Sequence, residues 1–293
     1  MTDATSLDSY RQWASEPLST APRFSIVVPA YNESERVLPT IGAIATFMCS
    51  LGEPWELLVA DDGSTDNTVE LLEELNLVNM HVLVAEENGG KGSAVRRGVL
   101  RSSGEVILFA DADQSTPIEQ FPTLLAELEA GADVVIGSRS AGGASVANKS
   151  MARKVFSRGL NILARVGLGV PFADTQCGFK MFTRNAGHRL FQHQVIDEFS
   201  FDLEILFLAG RQNLIVSEVP VEWIDAPGST VDAARVAVEF LRDMSVLRWN
   251  DVRGRYRQPN HELPDPAAPP IGSTPPPSET TAGSDPVMEL TRR

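Results

Sequence analysis

The chain has 293 residues, 43% of them hydrophobic, enough for one large α/β domain or two small ones with a sizeable core. Its two cysteines, Cys49 and Cys177, fit neither a metal-ligand spacing nor a disulfide scaffold, and the net charge of −14 argues against nucleic-acid binding. Residues 1–22 hold Asp3, Asp8 and Glu16 and no apolar run, unlike a signal peptide, and no window approaches the roughly 20 apolar residues of a membrane-spanning helix.

Residues 1–22 are polar and read as a flexible tail. Phe24–Pro29 is a continuous β-rich run, followed by a helix from about Ser34 to Ser50. Trp55–Ala60 is the next strand, and Thr65–Leu75 a helix capped by Ser64 or Thr65. His81–Ala85 is a third strand, with a helix from about Gly92 to Ser102 behind a glycine-rich turn. Glu105–Ala110, a helix over Ile118–Ala130 and a strand at Asp133–Ile136 continue the alternation. Short apolar runs separated by helices imply βαβ units and a doubly wound, mainly parallel sheet with flanking helices. Residues 231–257 read as an amphipathic helix, and 258–293, with nine prolines, as a disordered tail.

In such sheets ligands bind beyond the carboxyl ends of the strands. The first strand ends in Pro29-Ala30-Tyr31-Asn32-Glu33, the second in Asp61-Asp62-Gly63-Ser64-Thr65-Asp66. The third leads into Asn88-Gly89-Gly90-Lys91-Gly92, and the fourth into Asp111-Ala112-Asp113. Two carboxylates at i and i+2 beyond a buried strand repel unless a cation lies between them. A hard divalent ion, Mg²⁺ or Mn²⁺, favours one or two carboxylates together with phosphate oxygens. Asp62-Gly63 and the glycines at 89, 90 and 92 also suit ordinary turns, so the set has more meaning than any member.

Together with Gly137-Ser138-Arg139, Asp174-Thr175-Gln176-Cys177-Gly178-Phe179-Lys180 and Phe201-Asp202-Leu203-Glu204, these motifs resemble family 2 glycosyltransferases of the Rossmann-like GT-A fold, in the branch that acts on dolichyl or polyprenyl phosphate. The resemblance covers residues 24–230 and implies a nucleoside diphosphate sugar as donor. It places Pro29, Ala30, Tyr31, Glu33, Asp61, Asp62, Lys91, Gly92, Asp111 and Ala112 around the nucleotide sugar. Asp111 and Asp113 carry over as the metal pair for Mg²⁺ or Mn²⁺. Asp111, Asp113 and Arg139 are the residues expected to act in catalysis, and Arg139, Arg153, Ser157 and Arg158 those expected to hold the acceptor phosphate.

The charge distribution agrees with an anionic acceptor. Between Arg139 and Arg189 nine basic residues face one acid, Asp174. A lipid phosphate needs no general base, being mostly dianionic near neutral pH, but it needs cations beside a second phosphate-bearing substrate. Residues 151–170 interleave apolar side chains with Arg153, Lys154, Arg158 and Arg165, which suits a membrane interface, as does Val231–Trp249; a core-facing helix or a homo-oligomer contact would share the pattern. Thr230 follows Gly228-Ser229 where relatives often carry Lys, leaving one expected cation missing. Within that branch the motifs are more similar to the dolichyl-phosphate β-glucosyltransferases than to the mannose synthases, a resemblance that favours UDP-glucose over GDP-mannose. The Arg-rich basic set, with only Lys91, Lys149, Lys154 and Lys180, suits a GC-rich bacterial genome, a polyprenyl phosphate acceptor and a peripheral place at the cytoplasmic face of the membrane. A soluble or polysaccharide acceptor is the alternative, and it would use Asp202 or Glu204 as base, residues that fit a structural role equally well.

Overall fold

A computed structural model describes residues 4–141, 145–146, 167–224 and 233–257. Strands β1 (Phe24–Ala30), β2 (Trp55–Asp61), β3 (Met80–Val84), β4 (Val106–Ala110), β5 (Val134–Ser138), β7 (Phe179–Thr183) and β8 (Val216–Pro220) form one sheet in the order β3-β2-β1-β4-β7-β5-β8. A short parallel pair, β6 (Ser145–Val146) with β9 (Glu222–Trp223), stands apart from it. β1 pairs in parallel with β2 and β4, β2 with β3, and β5 with β8. β7 alone is antiparallel, inserted between β4 and β5, so the mainly parallel sheet expected from the sequence is present with one reversed strand.

Both faces of the sheet are covered, which explains why its strands read as continuous apolar runs. Along β1, Phe24, Ile26, Val28 and Ala30 enter one core and Val27 the other. The first core is closed by α1 (Ala4–Ser15), α2 (Val37–Ser50) and α5 (Phe121–Glu129), through Trp13, Ile41, Met48 and Phe121 among others. The second is closed by α4 (Lys91–Arg101) and the helices Arg184–Gln192 and Phe201–Arg211, through Val95, Val99, Leu190 and Phe201.

The N-terminal segment departs from its expectation as a flexible tail. Ala4–Ser15 is a helix, and Tyr10 and Trp13, three apart on one face, are buried. The Trp13 ring stacks on Trp55 at 4.2 Å between centroids, and its indole N–H donates to the Trp55 carbonyl at 2.9 Å. Asn79 donates to the carbonyls of Trp13 and Glu16, tying the helix end to the β3 approach. Two aromatic anchors outweigh a polar composition because each buries a large apolar area.

The expected Ser64 or Thr65 cap also differs. The helix α3 runs Thr68–Glu74 from Asn67 with no side-chain cap, and Ser64 instead donates to Asp61. The C-terminal helix, expected over 231–257, spans Ala233–Val252 with a 3₁₀ turn at Arg255–Arg257. Leu247 and Tyr256 enter the second core, while Leu241, Trp249 and Val252 remain exposed. Residues 258–293 and most of the basic stretch, 147–166, lie outside the described residues.

Candidate active site

The carboxyl ends of β1, β2 and β4 open onto a cleft of about 400 Å³. Its lining includes Pro29, Ala30, Tyr31, Glu33, Asp62, Lys91, Asp111, Ala112 and Asp113. Eight of the ten residues expected around the nucleotide sugar therefore meet in one place, Asp61 and Gly92 being the two that do not.

The loops are built from the chain upward. Asn32 takes a positive φ of 54°, turning the chain out of β1 so that its side-chain oxygen accepts the Thr65 N–H at 2.8 Å. The Asn32 N–H donates to Ser64 Oγ at 2.9 Å and the Glu33 N–H to Thr68 Oγ1 at 2.9 Å, which locks the first loop onto the second. Asp61 is fully buried, and Oδ2 accepts the Gly63 and Ser64 N–H groups at 3.0 Å each. All its capacity goes into the turn, so it shapes the site without lining it.

Asp62 does line the cleft, and it also organises the glycine-rich segment by accepting the N–H groups of Gly89 and Gly90 at 3.2 and 2.7 Å. Gly90 has φ 95°, and a Cβ there would stand 2.5 Å from the Asp197 carbonyl, which accounts for glycine at this position. Gly92 faces away from the cleft: a Cβ would meet the Ile196 and Asp197 carbonyls and Phe201. Its role is close packing of the 196–201 segment on α4, aided by the Ser93 N–H donating to the Asp197 carbonyl at 3.1 Å. That docking brings Glu198 and Phe199 into the cleft. Sequence reasoning passed over both, because nothing local links them to a loop more than 100 residues earlier.

Asp111 and Asp113 stand at the end of β4. The Asp111 N–H donates to the Gly178 carbonyl at 3.0 Å, and a Cβ on Gly178 would fall 1.9 Å from Asp111 Oδ2. Only glycine lets β7 pass so close to this carboxylate, which is the physical content of the Cys177-Gly178-Phe179 motif. Asp113 Oδ1 accepts the Ser115 N–H at 2.9 Å. Asp111 Oδ1 is buried and is held by the Lys91 ammonium, 2.6 Å away. Two carboxylates two residues apart on the cleft wall, one of them already drawing a cation, fit a hard divalent ion, which favours one or two carboxylates together with phosphate oxygens. Burial pushes Glu33 above the ordinary carboxylate range; Arg36 opposes the shift, and Asp113 and Asp111 add to it.

Below the cleft floor lies a buried polar layer. Lys180 Nζ donates to Asp202 Oδ1 and to the Cys177 carbonyl, each at 2.5 Å, with both side chains almost fully buried. Glu204 accepts the N–H groups of Val195 and Ile196 and the Tyr256 hydroxyl at 2.6 Å. Asp202 and Glu204, the two carboxylates the sequence offered as base for a hydroxyl acceptor, are thus engaged in holding the fold.

Arg139, at the end of β5, makes a bidentate pair with Asp174: Nε to Oδ2 at 2.7 Å and Nη2 to Oδ1 at 2.8 Å. Its backbone N–H also donates to Asp174, and the guanidinium lies 5.7 Å from the Trp223 ring centroid. Burial alone would raise the Asp174 pKa, but the hydrogen bonds and charge of Arg139 outweigh it and hold the group below its ordinary value. Arg139 is absent from the cleft lining, and two nitrogens of its fork are already engaged by Asp174. Arg153, Ser157 and Arg158 lie outside the described residues.

Comparison with known proteins bears on the family and the fold. The family model "Glycosyl transferase family 2" matches residues 25–191. A dolichyl-phosphate beta-glucosyltransferase of Trichomonas vaginalis is 35% identical over 239 residues, covering 74% of this chain and 71% of that one. The dolichyl-phosphate beta-glucosyltransferase of Saccharomyces cerevisiae is 33% identical over 254 residues, covering 80% and 76%. Among solved structures, glucosyl-3-phosphoglycerate synthase from Mycobacterium tuberculosis, in complex with Mn²⁺ and UDP-glucose, aligns with a TM-score of 0.56 at 19% identity over 89% of this chain and 86% of that one. That likeness shows the GT-A fold. With the matched domain covering more than half of the chain and relatives above 30% identity along most of their length, this chain belongs to glycosyl transferase family 2 and is a glycosyltransferase.

Proposed function

We propose that the chain moves a hexose, glucose from UDP-glucose, onto a polyprenyl or dolichyl phosphate by single displacement with inversion. The observation that carries this reading is the state of Asp202 and Glu204. Each is buried and committed, so neither is placed to deprotonate a hydroxyl, whereas a phosphate acceptor arrives already ionised. The relatives named above are glucosyltransferases of dolichyl phosphate, which supports both the sugar and the acceptor class.

In this reading Tyr31, Glu33 and Asp62 line the base and ribose end of the cleft, carboxylates accepting from ribose hydroxyls. Asp111 and Asp113 hold Mg²⁺ or Mn²⁺, which when bound neutralises the departing diphosphate as a Lewis acid. Arg139 borders the acceptor side, its guanidinium oriented by Asp174, with Arg153, Ser157 and Arg158 assigned to the acceptor phosphate. No helix among the described residues is long and apolar enough to cross a membrane, and exposed Leu241, Trp249 and Val252, with Arg253 over the Trp249 ring at 4.3 Å, supply an interfacial contact that suits a lipid substrate.

The competing reading, a hydroxyl acceptor, has Glu198 as a cleft carboxylate to serve it. A transfer assay with labelled UDP-glucose or GDP-mannose, Mn²⁺ or Mg²⁺ and short-chain polyprenyl phosphate decides between them. A chloroform-soluble labelled product, lost on adding EDTA, is expected with UDP-glucose. GDP-mannose as the better donor would correct the sugar. A donor that binds or hydrolyses without transfer to the lipid would move the hydroxyl-acceptor reading ahead.

A further inference from the structure

The cleft that should receive a diphosphate is strongly acidic. Among the described residues, Glu33, Asp62, Asp111, Asp113 and Glu198 line it, against a single basic residue, Lys91. That one cation is not free. Its ammonium lies 2.6 Å from Oδ1 of Asp111, one of the two carboxylates assigned to the metal. Its position is confined: Lys91 opens α4 directly after Gly90, and Nζ lies 5.5 Å from the Phe109 ring centroid and 5.9 Å from that of Phe199. The side chain is 22% exposed, so the ion pair sits at the cleft wall with room on its open side.

Two consequences follow from electrostatics. A divalent ion arriving alone must displace an ammonium already in contact with Asp111. A diphosphate arriving alone meets five carboxylates and a lysine whose charge is compensated. When the two arrive together, each incoming charge meets an opposite one, with the divalent ion replacing the ammonium at Asp111 and the freed ammonium turning to the phosphate oxygens.

We infer that Lys91 is an exchangeable counter-cation: it holds Asp111 in the empty cleft and passes to the donor diphosphate when the metal–nucleotide complex binds, so that metal and nucleotide bind synergistically. Lys91 is therefore a positioning residue for the metal site as well as a ligand for the donor. The inference rests on reading the cleft as a nucleotide-sugar site, and it predicts an opposite sign of effect on two bindings, which a merely damaged cleft would not produce.

The test is Mn²⁺ binding to the full chain, followed by the loss of the free-ion electron paramagnetic resonance signal, alone and with UDP or GDP. Wild-type protein should bind Mn²⁺ weakly by itself and at least about tenfold more tightly with its nucleotide, a difference of about 1.4 kcal/mol. Lys91→Gln should bind Mn²⁺ alone about tenfold more tightly than wild type, yet bind Mn²⁺–UDP more weakly. Lys91→Arg, which keeps the charge, should leave Mn²⁺ alone weakly bound. Unchanged or weakened binding of Mn²⁺ alone by a folded Lys91→Gln protein overturns the exchange while leaving the nucleotide reading intact. If Lys91→Gln does not fold, the wild-type measurement still decides: tight binding of Mn²⁺ without nucleotide overturns it. Failure of wild type to bind any nucleoside diphosphate with Mn²⁺ removes the nucleotide reading, and the exchange with it.

Discussion

Replacing Asp202 by Asn separates a structural carboxylate from a catalytic one. Asp202 is 4% exposed, and its Oδ1 accepts from Lys180, itself 1% exposed, at 2.5 Å. Burial pushes the Asp202 pKa up, and Lys180 and Lys91 pull it back. Removing one partner of such a pair leaves a buried charge uncompensated and costs about 3–5 kcal/mol. Asn retains an amide oxygen that can accept from Lys180, and the Cys177 carbonyl remains, so about 2–4 kcal/mol is expected here, near the lower end. At about 2–4 °C per kcal/mol for a domain of this size, the midpoint should fall by roughly 5–15 °C. Urea unfolding and thermal melts measure the loss, and transfer of labelled glucose to polyprenyl phosphate at a temperature where the variant is folded measures catalysis. On the phosphate-acceptor reading the rate should stay within about fivefold of wild type, because a general base contributes typically 10²–10⁴-fold and that reading gives Asp202 no such role. The double variant Lys180→Met, Asp202→Leu should recover much of the stability, since replacing both partners with apolar groups removes the desolvation penalty. An Asp202→Asn protein as stable as wild type but slowed a hundredfold would refute this reasoning and restore the hydroxyl-acceptor mechanism.

Trp13→Ala should destabilise the chain by about 3–5 kcal/mol, because it removes a buried ring stacked on Trp55 and leaves the Trp55 carbonyl without its indole donor; denaturant titration checks this, and a loss under 1 kcal/mol would mean that the N-terminal helix does not dock. Asp174 supplies a pH signature: its folded pKa lies below the unfolded value of about 3.9, so its contribution is complete above that pH and is lost as pH falls through the folded value. Asp174→Asn should therefore be less stable near neutrality and lose less with acid below about pH 4, and parallel melting-temperature curves for the two proteins would contradict the assignment.

Much of this protein could be read from its sequence alone. The alternation of apolar runs with helices implied the parallel sheet, because strands buried on both faces must be apolar throughout. The acidic and glycine-rich strand ends implied the cleft, because chain topology sends every β–α loop of a parallel sheet to the same edge. What pairs with what was decided only in three dimensions. Asp61 and Asp62 are adjacent and chemically identical, yet one is consumed by its own turn and the other faces the cleft while holding Gly89 and Gly90. Arg139 and Asp174, like Lys180 and Asp202, are distant in sequence, and their carboxylates become fold elements only because β7 reverses direction between β4 and β5. Glu198 and Phe199 enter the cleft through the packing of Gly92 against residues 196–201. Periodicity and composition report how a segment is buried, a local property; which charge compensates which depends on distances of a few ångströms between segments, and those are set by tertiary packing.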